Sequence, residues 1–268
     1  MLGTTVPEPR SDGRVFVCSA GVSEPLGQLL RIYPLARHNI PHRWNTYEVA
    51  LQRPDRGHDS RYESWQVAGD QTPGVHAAIN DRFKTTERAV PREARLKLLE
   101  RFEVSSIREA SARRCSLAIL RPKKGMDVEW EHKPDDPASP QLGLFGDQEV
   151  FPKDSARFDW IPRLRFDDSE TTYRLMIRDW GCFELMRKNG AEYARDNLRG
   201  ALHIADDPVL LVGNINNQRN AWLVISVLNG VVGQQSLFGL DMAPTWGTAG
   251  PIATGAEPTD GGSEEIGV

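Results

Sequence analysis

Cysteine is scarce. There are three, Cys18, Cys115 and Cys182, odd in number and far apart. That excludes a disulfide framework and a zinc site of paired thiols, fits a reducing compartment, and sets the expectation of a cytoplasmic protein. Long apolar runs are missing too. No stretch approaches the roughly 18 residues that a membrane span needs, and Met1–Gly13 has no apolar signal-peptide centre. No membrane contact is therefore expected. Also absent are the phosphate loop Gly-x-x-x-x-Gly-Lys-Ser/Thr and the dinucleotide fingerprint Gly-x-Gly-x-x-Gly. The hydrolase elbow Gly-x-Ser-x-Gly and the deaminase His-x-Glu with Pro-Cys-x-x-Cys are missing as well. No cofactor and no resident metal are expected.

What is present is a globular composition, 39% hydrophobic and 26% charged, over 268 residues. The net charge is −4, but it is unevenly spread. From Arg82 to Lys124 there are 13 Lys and Arg against 5 Glu, a net of +8. Asp241–Val268 carries 5 acids and no Lys or Arg. A basic middle suits an anionic partner that the tail screens or mimics; a solvated helix with an ordinary tail accounts for it equally well.

Residues 1–13 read as a disordered lead-in. Arg14–Ala20 and Gln28–Leu35 read as strands around a Gly/Pro/Ser turn, and Thr46–Gln52 and Tyr62–Ala68 as a further pair. The pattern predicts helix over Thr86–Ala112 in two segments capped at Thr86-Glu87 and Ser105-Ser106. It predicts a hairpin of Cys115–Leu120 with Met126–Glu131 around Pro122–Gly125. After a Pro/Asp loop, Trp160–Phe166 and Thr171–Arg178 form a hairpin turned at Asp167-Asp168-Ser169. Trp180–Leu202 is a helix that Gly190 interrupts, with Asp179 as its N-cap. Val209–Gly213 and Ala221–Leu228 are continuous apolar strands, hence buried on both faces. The expected architecture is α+β. It has a β section with basic helices over 14–132, a loop over 133–157, a second β/α section over 158–230, and a flexible acidic tail over 231–268.

Two pentapeptides stand out in the loop and the tail: Gln141-Leu142-Gly143-Leu144-Phe145 and Gln234-Gln235-Ser236-Leu237-Phe238. Both resemble the bacterial sliding-clamp binding motif of Gln, often Leu, a small or acidic residue, Leu and Phe. The resemblance implies a clamp partner. Gln141 or Gln234 sets register, while Leu142, Leu144 and Phe145, or Leu237 and Phe238, supply the apolar contacts, about 1.5–3 kcal/mol per buried side chain. The competing reading is a Leu-Phe pair tucked into its own core.

The stretches Cys18–Val22 and Leu30–Pro34, with Arg121–Lys124 and Ile177–Trp180, resemble the dual OB-containing domain family of prokaryotic conflict proteins. That resemblance implies OB-like antiparallel β-sheet or barrel units, with a helical insertion and a second hairpin/helix section, and nucleic-acid sensing or binding; it implies no catalytic residues. From the residues themselves, Arg31, Tyr33, Trp44, Tyr62 and Trp65 on a small sheet are either a base-stacking surface or core. Arg113, Arg114, Lys123 and Lys124 are candidates for phosphate contacts. Asp59, Arg61 and Glu63 form the densest polar cluster, with a low-odds catalytic reading as metal and phosphate ligands. The leading expectation is a DNA-associated binding protein tethered to the sliding clamp, in replication, repair or phage defence. The alternatives are a metal-dependent nuclease or nucleic-acid-modifying enzyme of a defence system, and a protein-interaction adaptor that never touches nucleic acid.

Overall fold

The computed structural model describes residues 1–9, 15–36, 38–54, 59–69, 78–87, 89–123, 126–132, 160–204, 208–216 and 218–228. Both pentapeptides and Lys124 lie outside these residues. The N-terminal strands are β1 (Gly3–Thr4), β2 (Glu8–Pro9), β3 (Val15–Ser23), β4 (Gln28–Ala36), β5 (Thr46–Glu48), β6 (Leu51–Gln52), β7 (Ser64–Val67) and β8 (Lys84–Glu87). Then come helix α1 (Arg92–Glu100), β9 (Glu103–Val104), helix α2 (Ile107–Ala112), β10 (Leu117–Leu120) and β11 (Asp127–His132). The chain continues with β12 (Trp160–Asp167), β13 (Thr172–Met176), helices α3 (Trp180–Asn189) and α4 (Ala191–Ile204), β14 (Val209–Ile215) and β15 (Gln218–Leu228).

The α+β class is as expected. The strands fall into a six-stranded sheet (β1-β3-β4-β7-β6, with β2 on β3), a four-stranded sheet (β15-β14-β10-β9), a three-stranded sheet (β11-β12-β13) and the pair β5-β8. None of these sheets closes, so a barrel is not formed among the described residues.

The four-stranded sheet is the central layer. Every residue of β10 is buried, as are the first six of β14. Because side chains alternate across a strand, one face presents Leu117, Ile119, Val209, Leu211 and Ile225 to Leu2, Ala20, Leu29, Trp44 and Leu99. The other presents Ala118, Leu120, Leu210, Val212 and Val224 to the three-stranded sheet and the helices, through Leu164, Phe166, Ile177 and Leu198. The six-stranded sheet has its own outer core of Val17, Leu30, Ile32, Leu35 and Ile79.

Local chemistry explains the elements that came out as expected. The β3–β4 hairpin turns at Gly27 (φ +61°), whose N–H donates to Glu24 O. Gly190 (φ +88°) separates α3 from α4. Asp168, in the β12–β13 turn, accepts from Glu170 N and Thr171 N.

Four expectations need correction. Residues 1–13 were expected as a disordered lead-in, yet β1 and β2 both pair with β3 and Leu2 and Val6 are buried, because their apolar side chains find the interior. The two helical segments expected over Thr86–Ala112 are present, but the first does not begin at Thr86-Glu87. Thr86 lies in β8, paired with β5. Pro91, whose ring fixes φ and which donates no hydrogen bond, is the N-cap of α1. Ser106 does cap α2, accepting from Glu109 N. The hairpin expected around Pro122–Gly125 does not form: β10 pairs with β14 and β9, while β11 pairs with β12. A strand buried on both faces takes a central position, whereas β11, only partly buried, joins an outer sheet. Finally, Thr46–Gln52 splits, β5 pairing with β8 and β6 with β7, while β7 also joins β4 in parallel.

One carboxylate pins three layers. Asp179, the N-cap of α3 and buried, accepts from Gly181 N (2.8 Å), Ser226 Oγ (2.7 Å), Val227 N (3.2 Å) and Arg43 Nη2 (3.0 Å). Asp179→Ala strips the partner from all four donors. It is expected to lower stability by about 3 kcal/mol or more, read from urea unfolding; a loss below about 1 kcal/mol contradicts this role.

Candidate functional site

The pleat of β4 puts Arg31 on the same face as Leu29, toward the central sheet. The charge is therefore driven into the seam between two layers, and Arg31 is only 4% exposed. Its Nη2 donates to Ser116 O (3.0 Å) and Asn214 O (3.3 Å), at the ends of β10 and β14. Gly213 makes the room: a Cβ there would lie 2.8 Å from Arg31 Nη2 and 2.5 Å from Ile225 Cδ1. Burial, and then the like charge of Arg61, push the Arg31 pKa down to about 10, so it remains protonated at neutral pH.

Arg61 converges on the same carbonyl, and the acids of the cluster are held around it. Arg61 Nη1 donates to Asn214 O (2.7 Å), and its Nε chelates Asp59 (2.8 and 3.1 Å). Ser64 Oγ also donates to Asp59 (2.7 Å). Burial alone would raise the Asp59 carboxyl; the hydrogen bonds and charge of Arg61, with the Ser64 hydroxyl, outweigh it and hold it below the usual range. Glu63 turns inward and accepts from Ser116 N (2.7 Å) and Ser116 Oγ (2.8 Å). Arg31 Nη1 and Asn214 Oδ1 are buried without a hydrogen-bond partner among the described residues, each at a cost of about 1–3 kcal/mol.

Four residues singled out in the sequence, Arg31, Asp59, Arg61 and Glu63, are thus brought together, but not in the roles expected of them. Arg31 reaches carbonyls in the interior rather than a surface phosphate. Asp59 and Glu63 point to different partners, and no group of three or more His, Cys, Asp or Glu able to hold a metal occurs among the described residues. Cys115, nearby, offers no ready nucleophile: burial and the Glu63 charge raise its thiol pKa. Ser116 and Asn214 were not legible in the sequence, where they are ordinary polar residues flanking apolar runs.

The aromatic candidates divide. Trp44 is buried, with Arg95 4.6 Å from its ring. Tyr33 packs edge-on against Phe16 at 6.2 Å. Tyr62, by contrast, is 68% exposed. The Arg53 guanidinium lies 5.0 Å from the Tyr62 ring and 4.0 Å from that of Trp65, and its Nη1 donates to Tyr62 O.

The basic candidates divide as well. Arg113 and Arg114 follow α2 and precede β10, while Lys123 lies beyond the other end of β10, its N–H on Asp167 O (2.9 Å). They do not form one hairpin. Arg113 pairs with Glu109. Arg114 has φ +57°, and the bonds Arg114 N→Ser111 O and Cys115 N→Ala110 O make a Schellman ending, a place where glycine is usual.

The fold and this cluster define an α+β protein of stacked open sheets, with an arginine–carboxylate network at one end of the seam. The profile of a family described as a domain of unknown function (DUF8758) matches residues 1–99. That stretch runs from β1 into α1 and carries Arg31, Asp59, Arg61 and Glu63, but neither Ser116 nor Asn214. No curated protein and no solved structure matches the chain. No helix among the described residues is long and apolar enough to cross a membrane.

Two outcomes follow from this geometry. Arg114→Gly relieves the left-handed conformation and should raise stability by about 0.5–1 kcal/mol, seen as a higher urea midpoint; an unchanged or lower midpoint shows that the side chain compensates for it. Asp59→Asn addresses pH. A carboxyl whose pKa is lower folded than unfolded contributes stability that is full above the unfolded value, about 3.9, and is lost as pH falls through the folded one. The wild-type advantage over Asp59→Asn should therefore shrink between about pH 5 and about pH 2; an advantage constant across that range removes Asp59 from the account.

Proposed function

We propose that this chain is a DNA-associated binding protein, held at the replication or repair machinery, or at a phage-defence assembly, through Gln141–Phe145 and Gln234–Phe238. The observation that carries the reading is topological. β11 and β12 pair through to their ends, with His132 opposite Trp160 and their rings edge-on at 4.7 Å. The described residues that flank 133–159 are thus paired neighbours, and the first pentapeptide lies in sequence between them, outside the described residues. The second follows Leu228, where β15 ends. A groove-binding peptide needs an accessible segment, and a connection between two paired strand ends, or one that follows a final strand, can supply it. Two copies on one chain raise avidity when both reach the same ring-shaped partner.

The commitments within the polar cluster support a binding rather than a catalytic reading. Glu63 is committed to Ser116 and Asp59 to Arg61, so the nuclease alternative has no observation in its favour. The reading does not depend on a closed OB barrel.

The test is capture of the purified chain by the bacterial sliding clamp. Wild type is expected to bind. Changing Leu144, Phe145, Leu237 and Phe238 together to Ala is expected to abolish capture, and changing either pair alone to weaken it by about 10-fold or more. Capture that survives the fourfold change removes the tether.

A further inference from the structure

We infer that the end of the seam where Arg61, Ser116 and Asn214 meet is a docking face for single-stranded nucleic acid. Tyr62 is its stacking platform, and exposed arginines around it take the backbone phosphates. The inference deepens the nucleic-acid part of the function proposed above and rests on it, but not on the clamp tether.

Hydrogen bonds, joined by short stretches of chain, place the parts together. Arg61 Nη1 donates to Asn214 O, Asn214 N donates to Ser116 O (3.0 Å), and Asn214 Nδ2 donates to Arg219 O (3.2 Å). Trp222 Nε1, on β15, donates to Ser111 Oγ (3.1 Å) in the last turn of α2, which Arg113 and Arg114 follow. On the other side, Arg53 Nη1 donates to Tyr62 O and Ser64 O. Segments far apart in the chain thus deliver Arg53, Arg113, Arg114 and Arg219 to one end, and all four are exposed.

The charges here do not cancel. Asp59 is chelated by Arg61, Glu63 is buried on Ser116, and Glu109 pairs only with Arg113 among these arginines. Arg31, buried beneath, adds positive charge. A chain of net charge −4 therefore concentrates cations at this end, the electrostatic footprint of an anionic ligand.

Tyr62 selects among anionic ligands. Its ring is exposed, while its backbone carbonyl is held by Arg53, whose guanidinium also lies within 5.0 Å of the Tyr62 ring and 4.0 Å of the Trp65 ring. A ring held in this way gains by stacking an unpaired base on its open face, whereas duplex bases are already stacked on each other. Arg114 keeps its charge at a left-handed position where glycine would be less strained, as expected of a residue retained for contact rather than for the fold.

The experiment is fluorescence anisotropy of the full chain with a labelled oligothymidylate over a salt series, alongside a duplex of the same length. Wild type is expected to prefer the single strand and to weaken as salt rises. Tyr62→Ala is expected to lose about 10-fold in affinity. Arg113→Glu, Arg114→Glu and Arg219→Glu together should lose more than that and flatten the salt dependence by roughly two counterions. Lys123→Glu, beyond the far end of β10, should bind as wild type. Arg114→Gly separates folding from binding, since it should raise the urea midpoint while weakening the oligonucleotide. Binding that the face variants leave as intact as Lys123→Glu does overturns this face and leaves the nucleic-acid reading standing. A preference for duplex overturns the single-strand assignment. No binding of either at low salt overturns both, and the clamp tether is then judged by its own capture assay.

Discussion

The constraint that organises this molecule is the burial of one sheet on both faces. β10 and β14 put apolar side chains to either side, and neither face can be left to water at roughly 25 cal/mol per Å² of apolar surface. The six-stranded sheet and α1 cover one face; the three-stranded sheet, α2 and α4 cover the other. Asp179 then ties the N-terminal section, α3 and β15 together with a single buried carboxylate.

The same constraint creates the polar cluster. A face that meets another sheet should be apolar, yet β4 places Arg31 there, within a few bonds of Asp59, Arg61 and Glu63. Buried charge networks of this kind add little net stability compared with well-packed apolar residues, but breaking one costs a great deal. Every charged member here is committed to a carbonyl, a serine or another charge. The cluster therefore fixes how the layers meet and sets the charge of the end that reaches solvent. The exposed groups at that end, Tyr62 and the arginines Arg53, Arg113, Arg114 and Arg219, sit around the cluster rather than in it.

Residue patterns carried much of the local structure. The β3–β4 and β12–β13 hairpins, the break at Gly190, the caps at Ser106 and Asp179, and the double burial of β14 and β15 follow from turn chemistry, capping and apolar continuity within short windows. Partner choice was not carried in the same way. Leu117–Leu120 beside Pro122–Gly125 has every local mark of half a hairpin, but its partner is some ninety residues further along the chain, because β14 offers a strand equally apolar on both sides. Likewise Thr86 reads as a cap until Pro91 and the pairing with β5 claim it for a strand.

For the site, the sequence by itself determined the inventory: a run of alternating charges at Asp59, Arg61 and Glu63, an arginine inside an apolar strand, basic residues after α2, and two clamp-like pegs. Tertiary structure decided where these groups fall, the two pentapeptides apart, which lie outside the described residues. It turned Glu63 and Arg31 inward, left Tyr62 outside, separated Lys123 from Arg113 and Arg114 by the length of β10, and brought Arg219 and Asn214 to the same end. The reason is physical. Whether a charge is buried or exposed depends on which strand lies across from it, and strand pairing here is long-range, set by matching two-faced apolar surfaces that no short window of sequence contains.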